Sequence, residues 1–106
     1  MGENPLQPFA DAPLPVLTPE ARLKRTAEAA FQTLDGETVI VLPLTRTLHV
    51  LNGTGGLLWE RLVEPRTVSE LVTFLAEVYA VDLAAAEKDV LAWAAELKRQ
   101  RILVDA

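Results

Sequence analysis

Cysteine is absent from this chain, histidine occurs once, at His49, and serine once, at Ser69. Without a thiol there is no disulfide framework, no thiolate nucleophile and no sulfur-ligated metal, and a reducing cytoplasm suits the chain. A metal site would have to be assembled from dispersed carboxylates around one imidazole, so His49 reads as a packing or surface residue. Ser69 falls in the first turn of an expected helix, where it serves capping better than attack, and no G-x-S-x-G elbow surrounds it. No apolar run approaches the roughly 20 residues needed to span a bilayer. The first residues hold no basic segment followed by an apolar one, so a secretory signal is not expected either. Catalytic residues, metal and cofactor are all expected to be none.

Positive charge is also scarce. The formal net charge is -5 and the isoelectric point about 4.8, a balance that repels phosphate backbones and argues against nucleic acid as a partner. What is present is a globular composition, 50% hydrophobic and 24% charged over 106 residues. That is enough for one domain with one modest core.

Residues 1–21 hold five of the seven prolines (Pro5, Pro8, Pro13, Pro15, Pro19), each of which removes a backbone donor and keeps its predecessor extended. They read as an arm whose first ten or so residues are mobile, with residues 22–106 as the folded domain. Residues 28–34 and 37–42 are strand-like and flank Asp35-Gly36, a strong hairpin signal. After Pro43, residues 46–51 alternate as a third strand, with Leu48 and Val50 on one face and Thr47, His49 and Leu51 on the other. The apolar run 39–42 suggests a middle strand covered on both faces.

Beyond Leu51 the period becomes helical. Gly53, Gly55 and Gly56 open a short helix with Leu57, Leu58, Trp59, Leu62 and Val63, capped by Asn52 or Thr54 and ended before Pro65. Thr67 and Glu70 form a T-x-x-E capping box for a second helix with Val68, Leu71, Val72, Leu75 and Val78 along one stripe. Asp82 caps a third and longest helix, with a core face of Leu83, Ala86, Val90, Trp93, Ala94 and Leu97 and with Lys98, Arg99 and Arg101 near its end. The expected class is α+β, a three-stranded antiparallel sheet followed by three helices. The glycines lack the G-K-[ST] of a phosphate loop and read as a tight strand-to-helix turn. The carboxylate pairs Glu87/Asp89 and Glu60/Glu64 fall on solvated helix faces, away from paired acid and base work.

Residues 36–104 resemble the PqqD-like family, named after pyrroloquinoline quinone biosynthesis protein D. The resemblance is carried by Asp35-Gly36 before an apolar strand, by Leu51-Asn52-Gly53-Thr54-Gly55-Gly56-Leu57-Leu58-Trp59-Glu60, by Thr67-Val68-x-Glu70-Leu71, and by Asp89-Val90-x-x-Trp93-x-x-Glu96-Leu97. It implies a winged helix-turn-helix-like fold and a non-catalytic role as a precursor-peptide recognition element. In such a domain the leader of a ribosomally made precursor adds as a strand to the third strand and packs against the third helix. The partners implied are that leader peptide and a modifying enzyme, often a radical S-adenosylmethionine enzyme, with neither nucleic acid nor membrane involved. The chain departs from the family's usual pattern at Glu64-Pro65-Arg66, where glycine is common, and at His49, where tyrosine is common.

On this resemblance the peptide-binding residues are Thr45, Arg46, Thr47, Leu48, His49, Val50 and Leu51 on the strand, and Leu91, Ala92, Ala95, Lys98 and Arg99 on the helix. The basic helix end favours a leader with acidic residues, and a groove of this size suits micromolar to sub-micromolar binding, on the order of 8 to 10 kcal/mol. Two other readings share the pattern. One is a winged-helix DNA-binding regulator, opposed by Glu87, Asp89 and Glu96 on the would-be recognition helix. The other is a structural subunit of a modification complex, monomer or homodimer, whose sheet edge is closed by a second copy or by the arm.

Overall fold

A computed structural model describes residues 13–106. The mobility expected of the first ten residues therefore lies outside the described residues. Asp35 and Gly36 both take positive φ, 51° and 81°, the mirror-image two-residue turn whose twist matches that of the strands it joins. It links β2 (Ala30–Leu34) to β3 (Glu37–Leu42), with Gln32 opposite Val39 and Leu34 opposite Glu37. β4 (Thr47–Asn52) pairs antiparallel with the other side of β3, Val50 opposite Val39 and Leu48 opposite Val41, so the sheet order is β2-β3-β4. β2 begins later than expected. The Ala29 amide donates to the Thr26 carbonyl at 3.3 Å in a turn that takes up residues 26–29.

The three helices follow in the expected order. α1 (Gly53–Arg61) leaves β4 directly. Asn52 occupies its N-cap position without a side-chain bond, and the Thr54 hydroxyl instead donates to the Tyr79 hydroxyl at 3.1 Å. α2 (Val68–Tyr79) opens on the reciprocal box. The Glu70 amide donates to the Thr67 hydroxyl at 3.1 Å and the Thr67 amide to the Glu70 carboxylate at 2.9 Å. α3 (Leu83–Arg99) is capped by Asp82, whose carboxylate accepts from the Ala85 amide at 2.7 Å.

One face of the sheet packs on these helices. Ile40 and Leu42 join Leu58, Trp59, Leu71, Leu75, Val90 and Leu97 in the core, while Val41 is 38% exposed. The middle strand is therefore covered on one face only, a correction to the reading of residues 39–42, because all the helices sit on the Ile40 side. Val78 and Leu83, read as core, are 47% and 61% exposed, since they lie in the last turn of α2 and the first turn of α3. Trp93 is partly buried and packs against the core from its border.

A second, small sheet was not foreseen. β1 (Arg22–Arg25) runs between β5 (Arg66–Thr67) and β6 (Leu103–Asp105), antiparallel to both. It buries Leu23 and Leu103 completely. Just before it, the carbonyls of Pro19 and Ala21 accept the amides of Ser69 and Val68 at 2.9 Å each. Those are donors at the start of α2 that the helix itself leaves unpaired.

Candidate functional site

β4 is the outermost strand of its sheet, and among the described residues it pairs with β3 alone. Every second N–H and C=O along it therefore points away from the sheet. The strand starts at Thr47 and not at Thr45 as expected. Residues 43–46 form a turn in which the Arg46 amide donates to the Pro43 carbonyl at 3.3 Å, and Arg46 takes a left-handed φ of 54°. Thr45 and Arg46 thus form the approach to the edge and are not members of it.

Along β4 the side chains divide by face. Leu48 and Val50 point away from the helices and are 53% and 50% exposed. Thr47, His49 and Leu51 point inward. The Thr47 hydroxyl is buried and bonded to both neighbours on that side, to the Thr45 hydroxyl at 2.8 Å and to the His49 Nε2 at 3.1 Å. Burial lowers the pKa of His49, and the Glu96 carboxylate on α3 acts in the opposite direction. Glu96 is the acidic group of α3 whose charge reaches His49. Its own burial works to raise its pKa, but hydrogen bonds from Arg99 and Gln100, with the charges of Arg99 and His49, outweigh that and leave the carboxyl lowered. The Arg99 Nη2 donates to both Glu96 oxygens at 2.6 Å.

The flank of α3 turned to β4 thus carries Trp93 and Glu96. The Trp93 indole and Leu51 both stand against Gly55 at the start of α1. These two helix residues were not among the peptide-binding set read from the sequence, although both sit in its motif. The residues in that set are spread round the helix. Leu91 packs on the core, Ala95 is buried, and Ala92 is exposed. Lys98 turns to β6, where it pairs with Asp105 at 2.7 Å. Of the helix residues proposed from the sequence, Arg99 is the one joined through Glu96 to the β4 side. An offset of one residue, about 100° round the helix axis, separates the two sets, and the spacing Trp93-x-x-Glu96 marks the flank turned to β4.

At the end of α3, Pro13 and Pro15 line a cavity of about 460 Å3 with Lys98, Arg99, Arg101 and Val104. A neighbouring cavity of about 310 Å3 has Leu44, Thr45, Arg101 and Val104 in its wall. Among the described residues no group of three or more His, Asp or Glu side chains is placed to hold a metal. No described helix is long and apolar enough to cross a membrane.

The architecture is that of a small α+β domain with an open-edged antiparallel sheet and a long helix beside the open strand. The chain belongs to the coenzyme PQQ synthesis protein D family, whose model matches residues 37–103. Among solved structures, it is similar to TbiB1 in complex with the TbiA(beta) leader peptide, with a TM-score of 0.71 and 25% identity over 76% of this chain and 93% of that one. A lasso peptide synthetase B1 complexed with the leader peptide shares the fold, with a TM-score of 0.69 and 23% identity over 77% and 96% of the two chains. So does the PqqD truncation of Methylobacterium extorquens PqqCD, solved as a stand-alone recognition element for ribosomally synthesized and post-translationally modified peptides. Its TM-score is 0.70, at 19% identity over 84% of this chain and 95% of that one. No curated protein sequence is significantly similar to the chain.

Proposed function

We propose that the chain is a non-catalytic recognition element that takes the leader of a ribosomally made precursor peptide as an added strand on β4 and presents it to a modifying enzyme. The observation that carries this is the unpaired β4 edge beside α3, in a family member whose fold matches proteins solved with leader peptides bound. Backbone pairing would supply register and affinity, and side chains on either face of the edge would supply selectivity. Leu48 and Val50 offer apolar contact outside, while His49, Trp93, Glu96 and Arg99 offer a mixed wall inside. The site residues read from the sequence enter this proposal with one change of emphasis, from Leu91 and Ala95 toward Trp93 and Glu96.

A radical S-adenosylmethionine enzyme remains the partner class that the family resemblance suggests, and a cytoplasmic setting fits a chain without cysteine. The basic pair at the end of α3 is partly committed inside the fold, Lys98 to Asp105 and Arg99 to Glu96. A preference for acidic leaders would therefore have to compete with both of these ion pairs.

The test is a titration with a synthetic leader copied from a precursor encoded beside this chain's own gene. Amide shifts confined to Thr47–Asn52 and the facing side of α3, with a dissociation constant of about 1 μM or below, support the reading. Shifts confined to β2, the opposite edge of the same sheet, would overturn it.

A further inference from the structure

The three-stranded sheet has a second face, turned away from the core. The helices pack on the Ile40 side. On the other side Ala30, Val41 and Leu48 stand in one cross-strand row, and Gln32, Val39 and Val50 in the next. All of these but Val39 are exposed, and five of the six are apolar. The third row, beside the hairpin turn, carries Glu37, the one charged residue on this face. A continuous apolar patch of this kind is what a soluble chain keeps small unless it meets a partner.

The patch is not flat. A hollow of about 260 Å3 opens on its β2 side, lined by Ala30, Phe31, Gln32, Leu34, Val39 and Val41. Leu48 and Val50 lie outside that lining, on the opposite border strand, and stand more exposed than Val41. Ridge and hollow therefore occupy opposite borders of one face. A two-fold axis over β3, parallel to the strands, lays β4 of each copy above β2 of the other and seats each ridge in the other's hollow. The rows stay in step, Leu48 over Ala30 and Val50 over Gln32, in the aligned stacking that packed sheets prefer. Gln32 lies on a border strand, so its amide reaches past the rim to water, and no charge is desolvated in the two apolar rows.

We propose that this outer face is the interface of a two-fold homodimer whose occupant is a second copy of the chain. Three strands ~4.8 Å apart and three rows ~6.8 Å apart give a footprint on the order of 300 Å2. A stable complex buries about 800 Å2 per partner, so this dimer is of the weak class, with a dissociation constant on the order of 0.1 mM. The packing leaves both β4 borders open, on opposite sides of the pair, and one dimer thus carries two free strand edges. Glu37, on the central strand, faces its own copy across the axis, and this like-charge contact weakens the pair.

Sedimentation of the full-length protein between about 20 μM and ~1 mM is expected to show an average mass rising from near 11.6 kDa toward twice that value. Leu48→Glu, at an exposed position, is expected to stay monomeric throughout with its amide spectrum otherwise intact. Glu37→Gln is expected to lower the dissociation constant about threefold. In a mixture of isotope-enriched and unenriched chains, intermolecular NOEs should join Leu48 of one copy to Ala30 of the other. A constant monomer mass up to ~1 mM overturns the proposal and leaves the face to a different protein. A dimer that survives Leu48→Glu, or that Glu37→Gln does not tighten, also overturns it. So do intermolecular NOEs confined to the β4 backbone edge, since the copies would then pair strand to strand. The leader titration is read separately on dilute protein: an edge that answers the leader in a chain that never dimerises sinks the dimer alone.

Discussion

The indole nitrogen of Trp93 lies 3.1 Å from the point where a β-carbon on residue 55 would sit, and Leu51 stands 3.6 Å from the same point. Gly55 thereby lets the α3 ring and the end of β4 close over the start of α1. Gly55→Ala gains up to about 1 kcal/mol of helix propensity but forces the indole to move, and overpacking costs about 1–3 kcal/mol. A net loss of about 1 kcal/mol is expected in urea unfolding. Trp93→Phe, which removes the contacting nitrogen, should make Gly55→Ala harmless, and a double-mutant cycle with no coupling would refute this account.

Arg25 bridges the two sheets. Its guanidinium lies 4.6 Å from the Phe31 ring centre and 4.5 Å from that of Trp59, and its Nε donates to the Trp59 carbonyl at 3.1 Å. Phe31 meets Trp59 edge-on at 5.3 Å. Burial lowers the Arg25 pKa and Glu60 opposes that, yet an arginine remains charged at any ordinary pH. Arg25→Met should cost about 2–4 kcal/mol, the sum of a partly exposed cation–π contact of about 0.5–1 kcal/mol and a charge-assisted hydrogen bond of about 1.5–3 kcal/mol. Arg25→Lys keeps the charge without the flat fork and should recover less than half of that loss, measured by denaturant midpoint.

The capping box at α2 makes a separate prediction. Thr67→Ala removes the acceptor for the Glu70 amide and should cost about 1 kcal/mol. Glu70 itself is held below the usual carboxylate range, chiefly by the bond it accepts from the Thr67 backbone amide. Glu70→Gln preserves an acceptor and should cost less than Thr67→Ala. The reverse order, read by thermal unfolding, would mean that charge outweighs the hydroxyl.

His49 gives acid sensitivity a defined window. Its folded pKa lies below the ordinary 6.5 because burial disfavours the charged ring. Above 6.5 both folded and unfolded chains carry it neutral. As pH falls through 6.5 the unfolded chain protonates first, so this contribution to stability is lost progressively until the folded pKa is passed. His49→Gln should flatten the stability curve between about pH 7 and pH 5. Glu96, lowered below 4.5, contributes in a separate window, present above 4.5 and lost as pH falls below it. A His49→Gln profile parallel to the parent's down to pH 5 would contradict the assignment.

What was legible from the residues was local chemistry. Asp35-Gly36 announces a turn with two positive φ values, Thr67-x-x-Glu70 announces a helix start, and Asp82 a cap, since each of these signals is complete within four residues. The small sheet was illegible for the opposite reason. β5 is two residues long and β6 three, too short to show a period, and Arg22-Leu23-Lys24-Arg25 becomes a strand only because distant segments flank it. The candidate edge was located to within two residues, with the error at Thr45 and Arg46 arising from a left-handed Arg46 that composition does not announce. The helix wall was harder still. Which side of α3 meets β4 depends on its rotation about its own axis, and a purely apolar stripe leaves out Glu96, held beside His49 by hydrogen bonds and charge.

β6 lies against β1, and the Ala106 amide donates to the Arg22 carbonyl at 2.9 Å. The backbone at the start of β1 and the backbone just after β6 thus lie side by side, like two threads drawn through one hole. Because Leu17 and Ala21 pack on the core and Pro19 and Ala21 pair with the start of α2, a fusion spliced into a surface loop of a larger enzyme should keep residues 17–21 and should then fold without long linkers.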